Sequence, residues 1–313
     1  MKRPPQEMES PVRHKPVLTG EAIDFLRLKK GDKVLDGTVG CGGHAGFILQ
    51  KISPRGILIG VDRDRKSLEF AGKRLSEFGD SFKPVHANFT DIDRVLSDQG
   101  IEKVDAALFD LGISSYQLED AARGFSINRD GALDMRMDSG SRVQACDIVN
   151  RCKREDLERI IRDFGEERYW RRVAAFILER RKSAPIKSTS ELADLVRHAI
   201  GKRYGFQKIH PATRTFQALR IAVNEELENL SEVLGKIVGF LSPNARLAII
   251  SFHSLEDRIV KVRFKEFEKA GKGRIITKKP LRACESEIRE NPRSRSAKLR
   301  VFEKHESTRI LDE

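Results

Sequence analysis

The first third of the chain alternates between short apolar runs and amphipathic segments. The apolar runs, each bounded by Gly, Asp or Asn, cover residues 33–37, 56–62, 82–88 and 103–112. Runs of this length are typical of buried parallel strands. Between the second and third runs, the apolar positions of residues 65–78 recur at helical spacing on one face. Strands that alternate with helices in this way predict a doubly wound α/β sheet.

The pattern changes after Gly112. Residues 114–142 are polar and irregular, and a loop of this length within a compact domain is typically functional or disordered. Three helical patterns follow without a strand between them, over residues 154–165, 167–182 and 188–201. The last of these has Ser190 and Glu191 among its cap-forming residues. We therefore predict an inserted helical domain over residues 116–208.

The alternating pattern resumes beyond the insertion. It predicts one long helix over 213–241, a buried strand over 245–254, a helix over 255–271, and two edge strands over 273–279 and 298–304 that form a hairpin. The charged segment 282–297 between the edge strands is predicted to be a loop. The sheet is thus interrupted in sequence but continuous in space. We predict one domain from residues 14–115 and 209–313, preceded by a flexible tail over residues 1–13.

The composition of the chain limits the classes of protein to which it can belong. The 313 residues carry a formal charge of +12 and a pI near 9.6, which favours a nucleic-acid partner; a highly charged, heat-resistant surface is the alternative. No apolar run approaches the roughly 20 residues of a membrane span, and the N-terminus lacks the apolar core of a secretory signal. Four cysteines without a CxxC pair argue against a disulfide scaffold or zinc site. We expect a cytoplasmic protein with no bound metal and no membrane association.

The stretch "DGTVGCGGHAGF" (residues 36–47) connects the first predicted strand to a helix that begins near His44. This is the usual cofactor position of a doubly wound fold, because glycine permits a sharp turn and the close approach of a ligand. Its spacing is G-x-x-G-x-G-G rather than the dinucleotide pattern G-x-G-x-x-G. Asp36 would repel a pyrophosphate but suits a ligand with an ammonium group and hydroxyls. These features favour S-adenosylmethionine, whose carboxylate also suits the positive end of a helix.

Three more side chains fall at the carboxyl ends of predicted strands, where ligands bind in open α/β sheets. Asp62 either accepts hydrogen bonds from ribose hydroxyls or caps the next helix. Phe89 either packs on an adenine ring or belongs to the core. Asp110 either holds the ammonium group, positions the methyl acceptor or closes a turn. We favour the functional interpretation for the two aspartates and leave that of Phe89 open.

Eight segments carry a resemblance to a known family. They are "HKPVL" (14–18), "DGTVGCGGH" (36–44), "DLGISSYQL" (110–118), "RGFSINRDGALDMRMD" (123–138), "GEERY" (165–169), "HPATRTFQALRIAVNEEL" (210–227), "SFHSLEDRIVK" (251–261) and "ENPRSRSAKLR" (290–300). Together they resemble the bacterial 16S rRNA cytosine-N4 methyltransferases, the RsmH/MraW family, in the family's order and over nearly the whole chain. Small departures are Ala45, where the family usually has Ser, and Tyr116, where Pro is common.

The resemblance implies S-adenosylmethionine as methyl donor and, as acceptor, the exocyclic N4 of one cytidine in the decoding region of small-subunit rRNA. It implies a Rossmann-like methyltransferase sheet with an inserted all-helical substrate-recognition domain, in agreement with the break after Gly112. It also implies a set of cofactor contacts at Gly42, Gly43, His44, Asp62, Phe89, Asp110 and Gln117. Asp36 is added to that set from its position and charge alone.

Catalysis and RNA binding are assigned to further residues. Methyl transfer requires the acceptor nitrogen, methyl carbon and sulfur to lie in line, so positioning and water exclusion contribute much of the rate. We hypothesise that Asp110 is catalytic and orients the amine or the donor near it. The target base must leave its stack, and RNA contacts rely on phosphates and on stacking. The RNA-binding candidates are Arg168, Trp170, Arg171, Arg214, Arg220, His253, Arg293 and Arg295, each of which has a structural alternative as a solvated arginine, a core tryptophan or a hydrogen-bonded histidine.

Two other classes of function remain as alternatives. One is an RNA-binding assembly factor without catalysis, which would have no need of Gly42, Gly43 and Asp62 together. The other is a nicotinamide-dependent oxidoreductase, against which the glycine spacing and Asp36 argue. We expect the partner to be 16S rRNA in the small subunit or in a late assembly particle. The sequence leaves the oligomeric state open between monomer and homodimer.

Overall fold

A single mixed sheet organises the protein. The computed structural model describes residues 16–201 and 209–306. Within these residues the strands are β1 (Lys33–Asp36), β2 (Ile57–Asp62), β3 (Phe82–His86), β4 (Val104–Asp110), β5 (Leu241–Ser251), β6 (Gly273–Ile275) and β7 (Lys298–Lys304). Their order across the sheet is β3-β2-β1-β4-β5-β7-β6. Strands β1 to β5 are parallel, whereas β7 runs antiparallel to both β5 and β6. The predicted α/β sheet and its antiparallel edge pair are confirmed.

Helices lie before, between and after the strands. Within the described residues they are α1 (Thr19–Leu26), α2 (Gly43–Ile52), α3 (Arg65–Arg74), α4 (Ile92–Asp98), α5 (Ser115–Glu119), α6 (Ala145–Arg151), α7 (Arg154–Asp163), α8 (Trp170–Ser183), α9 (Thr189–Ile200), α10 (Thr213–Asn224), α11 (Glu226–Phe240), α12 (Ser254–Lys269) and α13 (Glu285–Glu290). None of them is long and apolar enough to cross a bilayer.

Alternate residues of each strand face opposite sides of the sheet, so the sheet has an apolar core on both faces. One core joins Val34, Leu58 and Leu108 to buried residues of α1, α2 and α3. The other joins Leu35, Ile59 and other strand residues to α4, α11 and α12. The sheet is therefore doubly wound. Strand order reverses between β1 and β4, so the crevice at their carboxyl ends is where a ligand is expected.

A third core lies entirely outside the sheet. It is built from the loop after α5 and from α6 to α9, and it includes the buried residues Phe216 and Leu219 of α10. Helix α10 thus packs with the helical unit, although the predicted boundary at residue 208 assigns it to the sheet domain. We infer that the helical unit extends to Asn224. The predicted tail over residues 1–13 lies outside the described residues.

The predicted long helix over residues 213–241 is wrong, because the chain breaks into α10 and α11 at Glu225. Glu225 has left-handed backbone angles, φ 51° and ψ 40°. The carbonyl of Asn224 accepts two hydrogen bonds from the Arg63 guanidinium, at 3.0 and 3.1 Å, and the Asn224 Oδ1 accepts a third at 2.8 Å. The Asn224 amide also bonds Met135 O and its Oδ1 bonds Met137 N. These contacts between the sheet and the helical unit outweigh the helical pattern.

Two segments predicted as loops contain short helices. Within residues 282–297 the chain forms α13 and a 3₁₀ turn over Pro292–Ser296. The Glu287 carboxylate there accepts the backbone N–H of Leu18 at 2.8 Å, so α13 is held against the start of α1. Residues 114–142 begin with α5, whose N-cap Ser114 forms a reciprocal capping box with Gln117. The predicted cap region of α9 is correct to within two residues, since Ser188 is the N-cap and accepts from Glu191 N.

Candidate active site

A cavity of about 490 Å³ opens at the carboxyl edge of the sheet. Its walls come from the loops after β1, β2, β4 and β5, from α5, and from α10 of the helical unit. The volume falls within the roughly 300–1,000 Å³ typical of small-molecule sites. The predicted site residues that line it are Gly43, His44, Asp62, Phe89, Asp110, Gln117, Arg220, His253 and Arg293. One wall therefore belongs to the sheet and the opposite wall to the helical unit.

The glycine pair of the β1–α2 loop is required by the protein's own packing. Gly42 has φ +80°, in the region that favours glycine. A Cβ on Gly43 would lie 2.8 Å from Pro16 Cγ, so a side chain there would displace the residues before α1. Gly43 lines the cavity, whereas Gly42 does not. The loop follows the predicted strand–turn–helix course, with α2 beginning at Gly43.

Asp62 lies at the end of β2 and holds the glycine loop in place. Its two carboxylate oxygens accept the backbone N–H groups of Gly40 and Asp64, both at 2.8 Å. Asp64 is the N-cap of α3, so Asp62 does not have the capping role considered as its alternative. Burial raises the pKa of Asp62 to about 6, against the lowering effect of these backbone bonds.

Asp36 lies beneath the loop rather than on the cavity surface. It is 1% exposed, and its carboxyl accepts the Thr38 N–H at 3.1 Å. Burial raises its pKa to about 8, with further contributions from the charges of Asp110 and Asp62. Asp36 therefore has no direct access to a ligand in the cavity and can influence one only through charge and through the loop.

Asp110 ends β4 and faces the cavity beside His44. Its backbone N–H donates to the Thr38 hydroxyl at 2.6 Å, which ties the ends of β1 and β4 together. Its Oδ2 lies 3.6 Å from His44 Nδ1, and its side chain is 22% exposed while that of His44 is 6% exposed. The turn bond to Gly112 N is long, at 3.4 Å. Burial raises the pKa of Asp110, and the His44 charge opposes that shift.

A buried network that the sequence interpretation missed supports Gln117. The Gln117 Nε2 donates to Asp64 Oδ2 at 2.8 Å, and its Oε1 accepts Ser114 N at 3.1 Å. Arg123 donates to the same Asp64 oxygen at 2.9 Å and is 9% exposed. Gln117 is thus held rigidly at the cavity wall. Arg123 lies in the polar segment over residues 123–138 that carries part of the family resemblance. Nothing in that segment indicates that its partner is Asp64.

Aromatic rings line part of the sheet side of the cavity. Phe89 is half-buried and meets Phe109 edge to face, with ring centroids 5.8 Å apart. Phe70 and Tyr116 form a second pair at 5.2 Å, and both line the cavity. Phe89 therefore combines the two roles left open for it, since it packs on the core and also borders the cavity. The Phe70–Tyr116 pair was not predicted.

Two further pairs of a basic and an acidic side chain line the cavity. Arg220 makes a bidentate pair with Glu226, at 2.9 and 2.7 Å. His253 Nε2 lies 3.1 Å from Glu256 Oε1, and His253 Nδ1 accepts the Glu256 N–H at 3.4 Å as the N-cap of α12. Among the described residues, Glu226, His253 and Glu256 are the only group spaced like metal ligands. Because Nδ1 acts as the cap acceptor, the ring proton resides on Nε2, which is then a poor metal ligand.

The other predicted RNA-binding residues lie outside the cavity. Arg168, Arg171 and Arg295 are exposed. Trp170 is half-buried against the helical core, and the guanidinium of Arg171 lies 4.3 Å from its ring centroid, so one face of the ring is already covered. Arg214 donates to the Glu166 carbonyl at 3.1 Å. Arg293 is the member of the arginine-rich C-terminal segment that reaches the cavity rim.

The raised pKa of Asp36 predicts a specific pH dependence of stability. Below about pH 8 the native carboxyl binds a proton that the unfolded chain does not bind until its pKa near 3.8. The wild-type protein therefore gains stability relative to Asp36→Asn as pH falls from 9 to 5, by at most about 1.4 kcal/mol per pH unit. Denaturant unfolding of both proteins across this range measures the difference. A difference that does not change with pH would show that Asp36 is not the buried titrating group.

Comparisons with known proteins agree with this architecture. The model of the MraW methylase family matches residues 11–305. Ribosomal RNA small subunit methyltransferase H from Pelobacter propionicus is 47% identical over 307 residues, which cover 93% of this chain and 98% of that protein. The proteins of the same name from Geobacter sulfurreducens and Halothermothrix orenii are 46% and 44% identical over 306 residues, with 93% and 98% covered in each case. By both the family match and this degree of identity over nearly the whole length, the chain belongs to the MraW methylase family.

Proposed function

We propose that the protein transfers the methyl group of S-adenosylmethionine to the exocyclic N4 of a specific cytidine in the decoding region of 16S rRNA. The relatives are named as methyltransferases of small-subunit ribosomal RNA, and the segments that carry the resemblance to cytosine-N4 methyltransferases include most of the residues of the cavity wall. The observation that carries the proposal is the group of acids at the strand ends, of which Asp62 and Asp110 line this cavity and Asp36 is buried beneath the glycine loop.

Those acids favour a cationic ligand. Asp36, Asp62 and Asp110 are the last residues of β1, β2 and β4, which are neighbours in the sheet, and burial raises the pKa of all three. A positively charged ligand relieves the cost of ionising them, whereas a pyrophosphate increases it. This charge preference supports a sulfonium donor over a nicotinamide dinucleotide. Acids with perturbed pKa values that cluster in a cleft are also typical of functional sites.

The residues present fit the donor. Asp62 retains acceptor capacity for ribose hydroxyls beyond its two backbone bonds. The Phe89 ring borders the cavity, and Gln117 is held at the cavity wall by its hydrogen bond to Asp64. When bound, S-adenosylmethionine supplies an electrophilic methyl group on a positively charged sulfur. Gly42 contributes to the site by shaping the glycine loop, and Asp36 contributes through the charge of its buried carboxyl group.

Asp110 is proposed to act on the acceptor side of the reaction. The lone pair of the cytosine N4 amine is delocalised into the ring, so the amine is a weak nucleophile. A carboxylate that accepts one N4 hydrogen bond helps to localise that lone pair and to orient it. Asp110 is suited to this role because it borders the cavity and remains 22% exposed. The walls around it can hold the reacting groups together, which contributes to the rate.

The helical unit is proposed to recognise the rRNA. It places Arg220 in the cavity wall, where His253 of the sheet domain also lies, and leaves Arg168 and Arg171 on the outer surface. Arg293 and Arg295 extend this basic surface from the C-terminal side. The substrate is 16S rRNA in the small subunit or in a late assembly particle, in the cytoplasm. The protein acts as a monomer or homodimer.

The decisive assay uses labelled S-adenosylmethionine and small subunits from a strain that lacks the enzyme. Label at cytidine N4 supports the proposal. Donor binding without transfer would favour a non-catalytic assembly factor, and failure to bind the donor would contradict the proposal.

In the same assay we expect Asp110→Asn to lose most turnover, by on the order of 100-fold or more, because the neutral amide is a weaker acceptor for the amine. The substitution preserves shape, so the thermal unfolding midpoint should change little. Asp98→Asn on the exposed face of α4 is the matched control and should retain full turnover. Near-normal turnover of Asp110→Asn would remove Asp110 from the mechanism.

We expect Arg171→Ala to weaken binding to small subunits and to reduce the slope of log K against log salt by about one, because one phosphate contact is lost. Affinity for S-adenosylmethionine should not change. Arg55→Ala, on the exposed loop at the opposite edge of the sheet, is the control for loss of general positive charge. Equal salt slopes for the two variants would place Arg171 outside the RNA interface.

A further inference from the structure

His44 and Asp110 form a proton-binding pair in the wall of the cavity. The His44 Nε2 lies 2.9 Å from the Val17 carbonyl oxygen. A carbonyl oxygen can only accept, so Nε2 must carry a proton. Nδ1 is then the nitrogen that gains or loses a proton, and it faces Asp110 Oδ2 at 3.6 Å. The surroundings thus fix the tautomer of His44 and direct its basic nitrogen at the carboxylate.

Two acceptor atoms that face each other leave room for one proton between them. When His44 is neutral and Asp110 is ionised, the Nδ1 lone pair and the Oδ2 charge are adjacent without a hydrogen. Adding one proton makes this contact an attractive ion pair, which becomes a charge-assisted hydrogen bond when the two atoms close from 3.6 Å to the usual separation of about 2.7–2.9 Å. The histidine ring is 6% exposed, so water reaches the pair chiefly past Asp110.

We propose that His44 and Asp110 together are the proton acceptor of the methyl-transfer reaction, with Asp110 taking the proton from the cytidine amine and His44 sharing it. This inference rests on the proposed function. His44 acts through Asp110 and is a positioning residue, whereas Asp110 meets the substrate. The pair also explains why the loop places a histidine directly after its two glycines.

The proton balance of the reaction requires such an acceptor. The N4 lone pair forms the new N–C bond while the C–S bond of the donor breaks and leaves its electron pair on sulfur. Sulfur becomes a neutral thioether, and N4 carries the positive charge and one proton too many. That proton passes to Asp110 Oδ2 and is held between Oδ2 and His44 Nδ1. Methylated cytidine leaves as a neutral base, and solvent takes the proton when the cavity opens.

The charges around the pair favour this direction of transfer. Asp36 from β1 and Glu256 from α12 are the acids whose charges act on Asp110, and His44 from α2 is the opposing base. A proton delivered to the pair lowers the negative charge of a crowded acidic group. The pair therefore becomes a better acceptor at the moment when the positive charge of the donor is lost from the cavity.

The test is the pH dependence of single-turnover methyl transfer by His44→Gln. The glutamine amide can still donate to the Val17 carbonyl, but it provides no basic nitrogen opposite Asp110. We expect the plateau rate to fall on the order of 10-fold to 100-fold. We also expect the midpoint of the acidic limb to move to lower pH, because two coupled sites hold a proton more tightly than one. The dissociation constant of S-adenosylmethionine should rise by much less than the rate falls, although His44 also borders the donor cavity.

Controls separate this role from others. His198→Gln, exposed on α9, should match the wild type in rate and midpoint. An unchanged plateau and midpoint in His44→Gln would overturn the proposal. A loss of donor affinity equal to the loss of rate would also overturn it, since the pair would then serve to hold the donor.

Two further readouts keep the inference testable if His44→Gln fails to fold, and the second of them also applies if the wild type transfers no methyl group. A wild-type rate that does not change from pH 5.5 to 9 would contradict it. In the free protein, nuclear magnetic resonance of the His44 ring nitrogens should show a proton on Nε2 throughout and a Nδ1 titration that moves to lower pH in Asp110→Asn. A Nδ1 titration indifferent to that substitution would refute the pair even if methyl transfer is established.

Discussion

The burial of carboxyl groups at the ends of three adjacent strands is the constraint around which the site is built. Asp36, Asp62 and Asp110 end three adjacent parallel strands, and burial raises the pKa of each. The protein offsets part of this cost with backbone N–H groups from the glycine loop and with His44. The remainder is offset when a cation enters the cavity, which is why the same fold that binds dinucleotides elsewhere favours a sulfonium here. The spacing of the glycines and the preference for a cationic ligand therefore both depend on the same contacts between the glycine loop and the strand-end acids.

The helical unit is hydrogen-bonded to the sheet directly beside one of these acids. Arg63 directly follows Asp62 and binds the carbonyl and side chain of Asn224 at the end of α10. Asn224 in turn holds the loop at Met135 and Met137, and both methionines line the cavity. The sheet, which is proposed to bind the donor, and the helical unit, which is proposed to bind RNA, are thus connected through a few hydrogen bonds. The break between α10 and α11 is a consequence of these bonds. A recognition unit linked in this way can position a base without adding residues to the sheet.

The local pattern of apolar and polar residues predicts most of the fold and part of the candidate site. Buried strands and the turn at Gly43 depend on residues close in sequence, so they were predictable. The break at Glu225 was not, because Arg63 lies 162 residues away from it and its contacts outweigh a strong helical pattern. Asp62 and Asp110 were identified from their places at strand ends. Asp36 has the same kind of position, yet it turns inward and bonds Thr38 N, and no sequence rule decides which way a strand-end side chain points. Arg220 looked like a surface arginine because its partner Glu226 lies beyond the unpredicted break.

Proton exchange on donor binding tests the account most directly. Calorimetric titration of the protein with S-adenosylmethionine, in buffers with different ionisation enthalpies, measures the number of protons released or taken up. If a cation stabilises the ionised form of the acids, binding at pH 6 releases protons from them, up to about half a proton from Asp62, which is half protonated at its pKa of about 6. Release should diminish as pH rises towards 9. Proton uptake, or no exchange between pH 6 and 9, would contradict the claim that buried carboxyl charge selects the ligand.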